Sequence, residues 1–95
     1  MTNKQPKTHL ILYSKPGCHL CEGLEEKLHQ VTKFSFQLEI RDITTNEEWF
    51  KAYCYEIPVL TQKLDNTEKP LPRLSPRGSI AQLEQLLQKY LVIYE

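Results

Sequence analysis

The sequence predicts an α/β fold with the element order β-α-β-α-β-β-α. Three observations carry this. An apolar run, His9 to Tyr13, ends in Ser14-Lys15-Pro16-Gly17; leucines at helical spacing follow at once; and apolar and polar residues alternate strictly from Phe34 to Arg41. Two strands joined through a helix are expected to pair in parallel with a right-handed crossover.

The first strand, His9 to Tyr13, is short and apolar, which suits a buried position. In the first helix, Leu20, Leu24, Leu28 and Val31 are spaced by four, four and three residues and define the expected inward face. Glu22, Glu25, Glu26 and Lys27 fall mostly on the other side, and early acids suit the positive end of the helix dipole. In the second strand Phe34, Phe36, Leu38 and Ile40 point one way, Ser35, Gln37, Glu39 and Arg41 the other, and Asp42 closes it.

Thr44, Thr45 and Asn46 offer N-cap chemistry for a short helix from about Glu47 to Tyr53, with Trp49, Phe50 and Tyr53 as its expected inward face. A third strand begins near Ile57-Pro58-Val59-Leu60, and the polar stretch Leu64 to Lys69 predicts a hairpin turn. The returning strand is expected at Leu71 to Leu74. Pro70 and Pro72 cannot donate ladder hydrogen bonds, so it belongs at a sheet edge. The last helix runs from about Ser79 to Leu91, with Ile80, Leu83, Leu87 and Tyr90/Leu91 inward and Ser79 with Gln82 as a capping box.

At 95 residues, 40% apolar and 25% charged, the chain is sized for one soluble domain, with a core from about residue 8 to 91. A formal net charge of zero gives no overall field to draw it to nucleic acid or to an anionic membrane. No stretch has the length of a spanning helix, and Leu10-Ile11-Leu12 is too brief for the apolar centre of a signal peptide. The expected location is the cytoplasm, and the expected state is a monomer.

The three cysteines are Cys18, Cys21 and Cys54, an odd count that is not a secreted disulfide framework. Cys18 and Cys21 form a Cys-x-x-Cys pair after a strand and at the opening of a helix. Cysteines so spaced in a first helical turn come close enough to bridge. The helix N-terminus supplies free N–H groups and partial positive charge, which stabilise a thiolate, the nucleophile of disulfide exchange. Cys18, at the helix start, is the nucleophile candidate; Cys21, one turn in, is the resolving thiol. Lys15 and His19 are nearby cations. Two other readings of the pair are small core residues and metal ligands. A structural zinc site wants four protein ligands, and no second close pair exists, so no metal is expected.

The segment Leu10-Ile11-Leu12-Tyr13-Ser14-Lys15-Pro16-Gly17-Cys18-His19-Leu20-Cys21, with the later Ile57-Pro58-Val59-Leu60, resembles the glutaredoxin-like family, and more closely its small bacterial and cyanobacterial branch. The resemblance covers about Thr8 to Leu91. It implies a minimal thioredoxin fold: a four-stranded mixed sheet in the order 2-1-3-4 flanked by three helices. It also implies that Pro58 is cis and faces the cysteine pair, although the local sequence alone suggests a trans strand-start proline. The Ile57 backbone is then expected to pair with an extended substrate or with glutathione, with Lys15 and Arg77 as further binding residues.

The stretch Ser75-Pro76-Arg77-Gly78-Ser79 departs from the Gly-Gly and acid pattern of glutathione-binding relatives. The Trp-Cys-Gly-Pro-Cys site and buried strand acid of thioredoxins are absent too. The expected activity is reduction of protein or glutathione mixed disulfides by a Cys18/Cys21 dithiol cycle. No cofactor is expected to be bound. Glutathione is a candidate co-substrate, and glutathione or a reductase the candidate electron donor. The rival reading is a binding module whose cysteines are structural or regulatory. Iron–sulfur carriage fits less well, because the single-cysteine Cys-Gly-Phe-Ser site is missing. Cys54 reads as a half-buried cysteine at a helix end, or as a third thiol near the site.

Overall fold

The structure, a computed structural model, describes residues 8–73 and 78–92. Its elements follow the expected order: β1 (His9–Ser14), α1 (His19–His29), β2 (Gln37–Asp42), a 3-10 turn (Ile43–Thr45), α2 (Glu47–Tyr53), β3 (Val59–Lys63), β4 (Glu68–Pro70) and α3 (Ile80–Tyr90). The sheet order is β2-β1-β3-β4. β1 and β2 are parallel, with Tyr13 opposite Arg41 and Ser14 opposite Asp42. β1–β3 and β3–β4 are antiparallel.

Because side chains alternate along β1, the sheet has two distinct faces. Leu10 and Leu12 point to the face covered by α1 and α3, where Leu24, Leu28, Leu60, Leu83 and Leu87 close the larger core. Ile11 and Tyr13 point to the opposite face, where Ile43, Trp49, Tyr53 and Val59 pack. Gln62, fully buried on β3, donates to the Val92 carbonyl at 2.6 Å and accepts from its N–H at 2.8 Å, which ties the chain after α3 to the sheet. Ser79 and Gln82 close the capping box of α3, and Lys69 donates to the Tyr90 carbonyl at the other end of that helix.

Four details differ from the sequence expectation. Leu20 is 51% exposed, and Cys21 takes its place inward, so the buried stripe of α1 is Cys21, Leu24 and Leu28, with Val31 buried just beyond the helix end. Both sets fit a helical period, and in the structure Leu20 falls on the solvent side. Phe50 is 44% exposed, because the short α2 presents only Trp49, Tyr53 and the following Cys54 to the sheet. β2 begins at Gln37, with Phe34 and Phe36 packing on the core from the segment before it, and Ile40 is 41% exposed on the edge strand.

The fourth difference is β4, which is Glu68–Pro70, while Leu71 to Arg73 of the expected strand Leu71 to Leu74 are not in it and Leu74 lies outside the described residues. A tight turn, closed by the Leu64 N–H donating to the Thr67 carbonyl at 2.8 Å, sets Glu68 opposite Lys63. The strand ends at Pro70, although the Leu71 N–H still donates to the Leu60 carbonyl at 3.1 Å. It is an edge strand.

Candidate active site

The loop after β1 delivers the cysteines. The Cys18 N–H donates to the Lys15 carbonyl at 3.3 Å, closing a four-residue turn with Pro16 second and Gly17 third. Gly17 has a φ of +80°, a backbone conformation that glycine adopts without strain. The turn leaves Cys18 extended as the N-cap of α1, and its Sγ accepts from the Cys21 N–H at 3.2 Å. An N-cap normally carries an oxygen acceptor; here a sulfur takes that place, where unpaired N–H groups favour negative charge.

Cys18 and Cys21 are joined as a disulfide, with a Cα–Cα distance of 5.3 Å. Cys18 is half-buried, while Cys21 is only 2% exposed. The pair therefore has an outer sulfur that a second molecule can reach and an inner one that it cannot.

Of the other residues singled out in the sequence, Lys15 is exposed in the same loop. His19 points to solvent, with Nδ1 3.6 Å from Glu22. The Ile57–Pro58 peptide bond is cis, and both residues are half-buried where β3 begins, opposite the end of β1 that carries the cysteine loop. The Ile57 N–H donates to the Tyr53 carbonyl at 3.0 Å. Arg77 lies outside the described residues. Cys54 is a free, half-buried cysteine at the C-cap of α2, packed on the Tyr13 face of the sheet. Among the described residues, no three His, Cys, Asp or Glu side chains gather to hold a metal ion, and no helix is long and apolar enough to cross a membrane.

Among the described residues several cavities border α1, and two of them lie beside the Pro58 loop and the cysteine pair. A groove of 370 Å³ toward β3 and β4 is lined by Leu24, Tyr53, Pro58, Leu71, Pro72 and Arg73, among others. Arg73 stands at its rim, 3.9 Å from Glu56. The prolines at 58, 70 and 72 were its only sequence signal. A second pocket, of 250 Å³ toward the β2 edge, includes Cys21, Glu25, Ile40 and Asp42 in its wall. Tyr55, just before the Pro58 loop, is 95% exposed.

On the far face of the sheet a polar network crosses all four strands. The Tyr13 hydroxyl donates to Glu68 Oε1 at 2.6 Å and accepts from Arg41 Nη1 at 2.9 Å. Thr61 donates to the same Glu68 oxygen at 3.0 Å, and Arg41 reaches the other at 3.2 Å. The Arg41 guanidinium lies 5.0 Å from the centroid of the Trp49 ring. Burial, reinforced by the hydrogen bond to Glu68, pushes the Tyr13 phenol well above its usual range, with the Arg41 charge opposing. A hydrogen bond from Arg41 holds the Glu39 carboxyl below the ordinary glutamate range, against the effect of burial. This network ties the four strands together on the face opposite α1.

A family model described as "Glutaredoxin-like domain (DUF836)" matches residues 9–88. No curated protein matches the chain. A solved structure of a malarial protein is 19% identical and aligns with a TM-score of 0.56, over 90% of this chain and 98% of its own. The solution structure of the N-terminal domain of Synechococcus elongatus SasA is 17% identical, with a TM-score of 0.50, over 99% of this chain and 94% of its own. At these identities the two structures share a fold with this chain and nothing narrower.

Proposed function

The chain belongs to the glutaredoxin-like domain family, and from that premise we propose that it is a thiol–disulfide oxidoreductase acting through Cys18 and Cys21. The observation that carries the proposal is the placement of the pair. Cys18 caps a helix N-terminus within reach of a second molecule, and Cys21 lies beneath it at bonding range. Burial of both thiols would have favoured a purely structural role.

In the reduced protein the Cys18 thiolate attacks one sulfur of a substrate disulfide. The substrate S–S bond breaks, one substrate sulfur leaves and takes a proton, and a Cys18–substrate mixed disulfide forms. The Cys21 thiol then gives up its proton and attacks Cys18 Sγ. The mixed disulfide breaks, the second substrate sulfur leaves as a thiol, and the Cys18–Cys21 bridge remains. Two electrons have passed to the substrate. Two glutathione molecules, becoming glutathione disulfide, or a reductase dithiol restore the starting state.

The 370 Å³ groove beside Pro58 is where we place the substrate. An extended substrate backbone would compete with the Tyr53 carbonyl for the Ile57 N–H. Arg73, which lines the groove, is the cation that would meet an anionic one such as a glutathione mixed disulfide; Lys15 and Arg77 are further cations expected from sequence, and Arg77 lies outside the described residues. No bound cofactor enters the cycle, and a reducing compartment such as the cytoplasm suits it.

Exchange with a glutathione mixed disulfide tests the assignment. Cys18→Ser is expected to lose turnover to the uncatalysed background, and Cys21→Ser to accumulate the mixed disulfide on Cys18. Full activity in Cys18→Ser would overturn it.

A further inference from the structure

The second pocket beside α1 bears on which cysteine attacks first. Its wall brings the nearly buried Cys21 together with Glu22 and Glu25 of α1, Asp42 at the end of β2 and Lys15 of the loop, with Ile40 as its apolar side. Glu25 follows Cys21 by one helical turn, on the same flank. Three carboxylates therefore stand against one ammonium. His19 and His29 lie 3.6 Å from Glu22 and Glu25, and they offset those charges only when protonated. Asp42 Oδ1 accepts from the Thr44 N–H and hydroxyl, neutral partners that leave its charge in place.

Negative charge disfavours a thiolate, and burial does the same. Cys18 experiences the opposite field: it sits at the positive end of α1 and accepts a backbone N–H. We propose that the carboxylates of Glu22, Glu25 and Asp42 hold Cys21 as a thiol in the reduced protein and so reserve the attacking role for Cys18. They act as positioning residues, through charge rather than by touching substrate. The proposal rests on the dithiol cycle above and adds what separates its two sulfurs. In the second step the Cys21 proton leaves into the pocket, and the departing substrate sulfur takes one up, so the count balances.

The test titrates Cys21 alone, in full-length protein carrying Cys18→Ser and Cys54→Ser, by the ultraviolet absorbance of the thiolate. Glu25→Gln and Asp42→Asn are close to isosteric, and the asparagine can still cap the turn. Each is expected to lower the titration midpoint by about 0.5 pH unit, or about threefold in thiolate population below the midpoint, the size expected for one neighbouring charge in a wet pocket. The double variant should shift by about the sum, and added salt should lower the midpoint of the parent toward it. Midpoints that stay put or rise in the double variant, with no effect of salt, would overturn the proposal. No disulfide substrate is used, so this outcome is separate from the loss or survival of exchange activity that decides the catalytic reading.

Discussion

Tyr13→Phe isolates the polar network that crosses the sheet. The ring is kept, and with it the packing against Tyr53, whose centroid is 4.3 Å away, and the edge contact with Trp49 at 5.9 Å. What goes is the hydroxyl, which donates to Glu68 at 2.6 Å and accepts from Arg41 at 2.9 Å. Neither charged partner is stranded. Glu68 keeps Thr61 at 3.0 Å and Arg41 at 3.2 Å, so the variant does not bury an unpaired ion. The loss is that of a charge-assisted hydrogen bond in a partly buried site, about 1.5 kcal/mol. For a domain of this size that lowers the melting temperature by about 6–12 °C.

Urea and thermal unfolding near neutral pH measure it. The sign at high pH follows from the raised Tyr13 pKa. Above about pH 10 the unfolded chain releases this proton while the folded one retains it, so the stabilisation is complete below that pH and is lost as pH rises. The gap between parent and variant should therefore narrow on the alkaline side. A variant within about 0.5 kcal/mol of the parent, with the same alkaline slope, would refute the claim that this network braces the sheet. Disulfide exchange should survive, because the hydroxyl lies on the face opposite α1.

Three further outcomes are expected. Leu87→Ala empties a fully buried position of the α1–α3 core and should cost about 2–5 kcal/mol in urea unfolding. Gly17→Ala meets no crowding at the new Cβ, but it places an L side chain at a φ of +80°; a cost of about 1–2 kcal/mol is expected in the same assay, with slower alkylation of Cys18 as the cysteine turn loosens. Glu39, held low by its Arg41 hydrogen bond, contributes stability that is present above its ordinary pKa of 4.5 and is lost as pH falls through the lower folded value. Acid unfolding followed by circular dichroism should thus show a shallower pH dependence for Glu39→Gln than for the parent.

Local pattern made much of this molecule legible. Alternation, helical spacing and the caps at Asn46 and Ser79 place the elements, and Cys18-His19-Leu20-Cys21 after a strand and a glycine turn marks the site. Sequence spacing misled where two registers fit equally well. Leu20 and Cys21 both continue the α1 stripe, and only the position of the sheet decides that the cysteine goes in. Glu68 reads as a turn residue because a glutamate in a strand needs partners, and its partners Tyr13, Arg41 and Thr61 lie on three other strands. The carboxylates around Cys21 were equally hidden, since Asp42 reaches that pocket only through the parallel pairing of β1 and β2.

The central claim is that Cys18 and Cys21 cycle between dithiol and disulfide. The most direct measurement is a redox titration in glutathione buffers, with the bridge followed by mass and each thiol by alkylation. The account predicts a reversible Cys18–Cys21 bridge with a potential of about −270 to −180 mV, and Cys18 alkylating well ahead of Cys21 in the reduced protein. Failure to form the bridge, or two thiols that alkylate slowly and alike, would contradict it and leave a binding module with inert cysteines.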